Sequence, residues 1–217
     1  MGKMKLYIVW GSPPVNSVLM TAKALNIELE LHEINFEKRE FNDEWFLKIN
    51  PSHTVPTLDD DGFILWDSHA ILIYLAETYG KNTQLYSDNI KTRALINQIL
   101  NFDCGTLFRR FSDCTRPIFY DGKKSIEQKQ LDNLKEAYST LERILNSTKF
   151  LAGDNVTIAD ISVLSNILPG SVILPIDNEE FPKLKSWLIH LESTEFYKTG
   201  QKAYETFKRG YEYLLGS

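Results

Sequence analysis

The hydrophobic periodicity of this chain changes once, near residue 80, and that change constrains the fold more than any single motif does. Before it, short apolar runs alternate with helical stretches. Residues 4–10 form a compact apolar run stopped by Gly11-Ser12-Pro13-Pro14, and residues 15–25 then carry Val18, Leu19, Ala22 and Leu25 at helical spacing. Ile27, Leu29 and Leu31 alternate with Glu28, Glu30 and His32, the pattern of a second strand, and a short helix is expected over residues 42–49. Thr57-Leu58 and residues 63–66 flank Asp59-Asp60-Asp61-Gly62, a hairpin signal, and a helix from Asp67 to Tyr79 closes the unit. The order βαβαββα predicts a small mixed sheet with helices on both faces.

Residues 80–87 are polar, and beyond them there is no strand signal and no internal repeat. Two domains are therefore expected, residues 1–80 and an all-helical 89–217, joined by a linker at 81–88. Residues 90–111 read as a long helix that Pro117 ends or kinks. A capping box at Ser125 and Gln128 opens a helix to Asn146 through Leu131, Leu134, Tyr138, Leu141 and Leu145. Thr157-Ile158-Ala159-Asp160 is a second capping box, assigned to folding because a buried apolar run follows it. Phe181-Pro182 starts another helix, and residues 204–215 form an aromatic-rich tail.

A chain of 217 residues, 43% hydrophobic, can bury a sizeable core. Its net charge of -5, with no Lys/Arg run longer than two, argues against nucleic acid or an anionic membrane as partner. An anionic small ligand would need local basic residues. Cys104 and Cys114 fit neither a C-x-x-C redox pair nor a zinc cluster, so no metal site is expected and both read as buried thiols in a reducing compartment. The N-terminal apolar run ends at Gly11 without a cleavage-type region, and no segment reaches ~18 apolar residues, so a soluble cytoplasmic protein is expected.

Chemistry concentrates in residues 50–79. Pro56 has a fixed φ and pushes Val55 toward an extended conformation whose N–H and C=O can pair with an extended ligand. Asp67-Ser68 then opens an apolar-periodic run, bringing a carboxylate, a hydroxyl and helix-start N–H groups to one corner that can hold both charges of an amino acid. Taken singly, Pro56 reads as a turn and Asp67-Ser68 as a helix cap; their order and spacing point to a peptide-binding edge.

This arrangement resembles the glutathione-binding half of cytosolic glutathione transferases. The resemblance implies a thioredoxin-like α/β domain followed by an all-α domain, with glutathione as co-substrate. It implies that Val55, before a cis Pro56, pairs with the cysteinyl backbone of glutathione, and that Asp67 and Ser68 grip its γ-glutamyl end. His53, beside Thr54, stands where the family contacts the glycyl end. His69 replaces an arginine that often helps to hold glutathione; as an ordinary histidine it would be mostly neutral at pH 7. A further family histidine aligns with Phe41.

Ser12 sits where the first strand meets the first helix, beside Pro13 and Pro14. A hydroxyl donor and a helix start both favour a thiolate over a thiol. A thiol of pKa about 8.5 is a few per cent ionised at pH 7, and a drop of roughly two units, at about 1.4 kcal/mol each, makes the thiolate dominant. By spacing alone Ser12 reads equally as a turn or cap residue. Gly-Ser-x-Pro here is similar to the catalytic serine motif of the insect delta and epsilon classes, although the family commonly has Cys-Arg where Val15-Asn16 stand.

Phe108, Phe111 or Ser112, Thr115 and Phe119 recur every three to four residues, a face that could roof an apolar pocket or equally be core. The resemblance places the hydrophobic-substrate site on this helix and near the C-terminal tail, adding Tyr211 and Tyr213. Arg109-Arg110 could neutralise a ligand carboxylate or be solvated. Three local matches, Ser-Pro-Pro-Val-x-Ser, Asp-Ser-His-Ala-Ile-Leu and Leu-Phe-Arg-Arg-x-Ser-Asp, resemble the Noppera-bo branch of insect transferases, linked to steroid-hormone production. There an acidic side chain bonds a sterol hydroxyl from the position of Phe111; Asp113 lies two residues on, and either Asp103 or Asp113 could face the pocket.

The resemblance implies a homodimeric glutathione transferase that conjugates the thiolate to electrophilic hydrophobic compounds, in detoxification or steroid-hormone biosynthesis. A glutathione-dependent steroid or lipophile carrier with little conjugating activity is the alternative. A third reading, a transferase-like fold serving only assembly, predicts no retention on immobilised glutathione.

Overall fold

The computed structural model describes residues 4–216; residues 1–3 and 217, the outer ends of the two expected domains, lie outside the described residues. A four-stranded sheet forms in the order β2-β1-β3-β4 from β1 (Met4–Ile8), β2 (Leu29–Glu33), β3 (Thr57–Asp60) and β4 (Phe63–Trp66). β1 runs parallel to β2 and antiparallel to β3, and β3 and β4 form a hairpin. Its two-residue loop places Asp61 at φ 53° and Gly62 at φ 90°, the left-handed pair that a tight right-twisted hairpin requires.

On one sheet face lie α1 (Pro13–Ala24) and α3 (Ser68–Tyr79), burying Val18, Met20, Leu72 and Leu75 against Leu6 and Ile8. The other face carries α2 (Glu44–Ile49) and a small cluster of Tyr7, Ile34 and Phe46. The remainder is helical: α4 (Ile90–Phe102), α5 (Phe108–Asp121), α6 (Gln128–Leu145), α7 (Ile158–Ile173), α8 (Pro182–Glu192) and α9 (Glu195–Leu215). This is the thioredoxin-like α/β unit followed by an all-α domain that the sequence predicts. One hydrophobic core runs through both parts. It is continuous because α1 packs directly on α7 and α9. Gly200 permits that approach: a methyl there would sit 2.7 Å from Met20 Sδ and 3.0 Å from Leu168 Cδ1.

The helical half departs from expectation at Pro117 and at the box that opens α6. A wide helical turn, Asp103–Leu107, joins α4 to α5. α5 then runs through Pro117 to Asp121. It can do so because the Asp113 carbonyl, which an N–H at 117 would have satisfied, accepts a hydrogen bond from Gln130 Nε2 at 2.7 Å. The box that opens α6 is formed by Glu127 and Gln130 rather than by Ser125 and Gln128, with Gln130 Oε1 accepting from the Glu127 N–H at 3.0 Å. α9 begins at Glu195, well before Tyr204, after the Thr194 hydroxyl accepts from Tyr197 N at 3.3 Å.

The box at Thr157 and Asp160 forms as expected. The fully buried Asp160 accepts from Thr157 N, Thr157 Oγ1, Leu151 N and Trp187 Nε1 at 2.9 to 3.0 Å. Burial pushes this carboxyl up from its ordinary value, against the pull of those four donors. Its role is structural.

Candidate active site

A large cavity of about 1250 Å³ lies between the carboxyl end of the sheet and the helical half. The turn that builds its lower wall is organised by Asn50, which is fully buried. Its amide donates to the Thr54 carbonyl and to Thr57 Oγ1, each at 2.9 Å, while Asn50 O accepts from the His53 N–H at 2.9 Å. That turn presents Val55, whose peptide bond to Pro56 is cis. Neither the N–H nor the C=O of Val55 makes a hydrogen bond among the described residues.

Asp67 caps α3 from φ 73°, its Oδ1 accepting from His69 N at 3.0 Å and Ala70 N at 3.2 Å. Oδ2 accepts no hydrogen bond among the described residues, and Asp67 lines the cavity beside the largely buried Ser68. Ser12 precedes α1 and makes no side-chain capping bond. Pro13 and Pro14 remove two of the N–H groups that a helix start exposes, and the Ser12 hydroxyl lines the cavity beside them.

Ser12, Pro14, His53, Thr54, Val55, Pro56, Asp67, Ser68 and His69 all line this cavity. So do Phe108, Phe111, Ser112, Thr115 and Phe119 on the opposite wall. Asp113 does not: its carboxylate pairs with Arg109 Nε at 3.1 Å, and Asp103 faces the cavity instead. Arg109 and Arg110 are likewise engaged elsewhere, the latter donating to the Asn133 carbonyl at 2.9 Å. Tyr213 is exposed and Tyr211 is buried behind the wall, stacked at 5.8 Å on Phe207; Phe207, with Thr206, is what α9 contributes.

His69 is not the ordinary histidine expected, because it is tied into a hydrogen-bonded network. Its Nε2 lies 3.1 Å from Asp103 Oδ2 and 2.9 Å from Ser162 Oγ, and Ser162 itself donates to Asp103 Oδ2 at 2.6 Å. Asn166 Nδ2 holds the other carboxylate oxygen at 2.9 Å. Burial alone would depress the imidazolium, but the hydrogen bond to Asp103 and the charges of Asp103 and Asp67 outweigh it and hold the His69 pKa above its ordinary value. His53 instead stacks on Phe41 at 6.3 Å, so the aromatic ring at 41 supports the neighbouring imidazole. Cys114 is buried as expected, and burial pushes its thiol up to about 11. Cys104 is exposed at the cavity, contrary to expectation, and burial together with Asp67 and Asp103 raises its thiol too.

Sequence reasoning missed Arg116, which lines the cavity one turn beyond Ser112, as well as Ser162 and Asn166 on α7. Arg116 was detectable from its four-residue spacing to Ser112 on the apolar face. The α7 residues were not, since their polar side chains lie inside a run that reads as core.

Two family descriptions match this chain: "Glutathione S-transferase, N-terminal domain" over residues 2–77 and "Glutathione S-transferase, C-terminal domain" over residues 94–195. "Glutathione S-transferase 1" of Manduca sexta is 38% identical over 197 residues, covering 90% of each chain. An epsilon-class glutathione S-transferase from the housefly Musca domestica superposes with a TM-score of 0.94 at 38% identity, covering 98% of both chains. A glutathione transferase homologue from Drosophila mojavensis, solved with bound glutathione, superposes with a TM-score of 0.92 at 33% identity over 98% of both. A sheet-edge turn with an unpaired Val55 backbone, an acidic helix start and an apolar wall thus coincide with sequence similarity along nearly the whole length, and the chain belongs to the glutathione S-transferase family.

Proposed function

We propose that this protein conjugates the thiolate of glutathione to electrophilic hydrophobic compounds, with Ser12 as the residue that stabilises the thiolate. The observation that carries the reading is the Ser12 hydroxyl. It stands on the cavity wall without a capping bond, opposite the aromatic face of α5. One hydrogen bond to a charged acceptor is worth ~1.5–3 kcal/mol, enough to lower a thiol pKa by roughly one to two units. The Val55 backbone is available to the cysteinyl peptide unit, and Asp67 Oδ2 with Ser68 to the γ-glutamyl ammonium and carboxylate. His53 and Thr54 serve the glycyl end.

Phe108, Phe111 and Phe119, with Ser112 and Thr115, form the second-substrate wall in this reading, and proximity of the two bound reactants supplies much of the acceleration. The protein acts as a cytoplasmic homodimer, with residues 81–88 joining a glutathione-binding domain to the helical one. No helix among the described residues is long and apolar enough to cross a membrane. Retention on immobilised glutathione and glutathione-dependent turnover of a chlorodinitrobenzene test the reading; absence of both would refute it.

A second reading, a glutathione-dependent carrier in steroid-hormone production, is favoured by one observation, the size of the cavity, which exceeds what a tripeptide fills. Its polar anchor would have to be at Asp103 rather than Asp113, and both Asp103 oxygens are already engaged. Tight binding of a hydroxysteroid without turnover of any electrophile favours the carrier.

A further inference from the structure

Among the described residues lining the cavity, Arg116 is the one Lys or Arg side chain. It stands exposed at the mouth, on the same α5 face as Ser112, Thr115 and Phe119. It makes no ion pair and no hydrogen bond among the described residues; its guanidinium carbon sits 5.6 Å over the ring of Tyr120. A cation–π contact uses none of the N–H donors, so the guanidinium fork is left without an acceptor among the described residues.

Tyr120 is itself tied across the mouth. Its ring lies 5.7 Å from Phe36, Phe36 lies 5.6 Å from Phe41, and Phe41 reaches His53. A row of rings from both halves of the molecule therefore holds the cation where the polar glutathione edge gives way to the apolar wall. None of the four carboxylates lining the cavity neutralises it. Asp103 is engaged by His69, Ser162 and Asn166, Asp67 caps α3, Glu33 accepts from Trp10 Nε1 at 3.1 Å, and Glu37 makes no ion pair with it. In a chain of net charge -5, an oriented and unpaired guanidinium facing a ligand cavity is a local attractor for an anion.

We propose that Arg116 binds a carboxylate of a molecule held in this cavity, which makes the preferred second substrate an apolar electrophile bearing an acid group; the glycyl carboxylate of glutathione is the other source of the same chemistry. A guanidinium is charged at every working pH and pairs with a carboxylate through two parallel bonds, a geometry that a lysine in the same place cannot reproduce. The proposal rests on the glutathione reading above for the identity of the first ligand, but not for the existence of the anion site.

Titration calorimetry on the whole protein separates the two sources, using dodecanoate and dodecanol as probes, with and without glutathione, and glutathione against its glycyl amide. Arg116→Gln is expected to weaken dodecanoate about 5-fold, the size of a charge-assisted contact at a half-exposed rim, and to leave dodecanol unchanged, with Arg116→Lys recovering part of the loss. A loss confined to glutathione and absent with its amide assigns the carboxylate to the glycyl end and equally supports the anion site. Unchanged affinity for both acids, or equal losses for each acid and its neutral partner, overturns the proposal. Failure of the wild-type protein to bind glutathione would sink the functional reading alone, because the dodecanoate arm without glutathione still reports on Arg116.

Discussion

His69 Nε2 lies 3.1 Å from Asp103 Oδ2, joining the first turn of α3 to the wide turn between α4 and α5. The residue next to the Asp67-Ser68 corner is therefore anchored in the helical half, with Ser162 Oγ of α7 at 2.9 Å from the same nitrogen. The geometry makes His69 a positioning residue for that corner, held through its partners. Its pKa is raised in the folded protein, so its proton binds more tightly there than in the unfolded chain. The resulting stabilisation is fully present below the ordinary value of 6.5 and fades as pH rises through the raised value. The unfolding midpoint of the wild-type protein should exceed that of His69→Gln most at low pH, with the gap narrowing on the alkaline side. A gap that is constant or widens with pH contradicts this.

Replacing Asp103 by Ala removes the common acceptor of His69, Ser162 and Asn166. Each donor left buried without a partner costs ~1–3 kcal/mol, partly relieved by water from the cavity, so a net loss of about 3 kcal/mol is expected in denaturant unfolding. Glutathione affinity should fall as well, because the corner at Ser68 loses its anchor. A variant as stable as wild type would show that the triangle of contacts carries no weight.

Much of this arrangement was legible in the sequence, for identifiable reasons. Strand and helix periods are local, so the succession of elements along the first 80 residues and the acidic start of α3 follow from neighbouring residues. Asp67 was readable because a cap acts within its own turn. The partners of His69 lie 34 and 93 residues away, and no local pattern announces them. Pro117 misled for the same reason: the group that compensates it, Gln130, belongs to another helix. Phe108, Ser112 and Phe119 of the α5 face do line the cavity, and of the two readings left open for Arg109 and Arg110 neither named Asp113 and Asn133, the partners that engage them away from it. On α9 the aromatic tail was recognised, but the helix rotation that turns Phe207 inward and Tyr213 out depends on packing against α5.

Asp160→Ala should be among the most destabilising single changes in the helical half. It strands the Leu151 and Thr157 N–H groups and Trp187 Nε1 inside a fully buried site. A loss of about 3–4 kcal/mol, or a drop of roughly 6–16 °C in melting temperature, is expected without a change in the thiol chemistry of the folded fraction. A drop of only a degree or two would show that these donors find other partners.

Two glycines in helical backbone should respond oppositely to a methyl group. Gly200→Ala forces Met20 and Leu168 aside between α1, α7 and α9 and should cost ~1–3 kcal/mol. Gly105→Ala meets nothing within 4 Å and should be neutral or stabilising by up to about 1 kcal/mol. Equal responses in thermal unfolding would contradict the close approach at Gly200.

The most direct test of the central claim is the ionisation of glutathione bound to wild-type protein and to Ser12→Ala, followed by ultraviolet difference titration of the thiolate. The account predicts that the bound thiol titrates well below its free value in the wild type and roughly one to two units higher in the variant, with kcat/KM reduced ~10- to 100-fold and glutathione affinity little changed. An identical bound-thiol pKa and an unchanged rate in Ser12→Ala would contradict it.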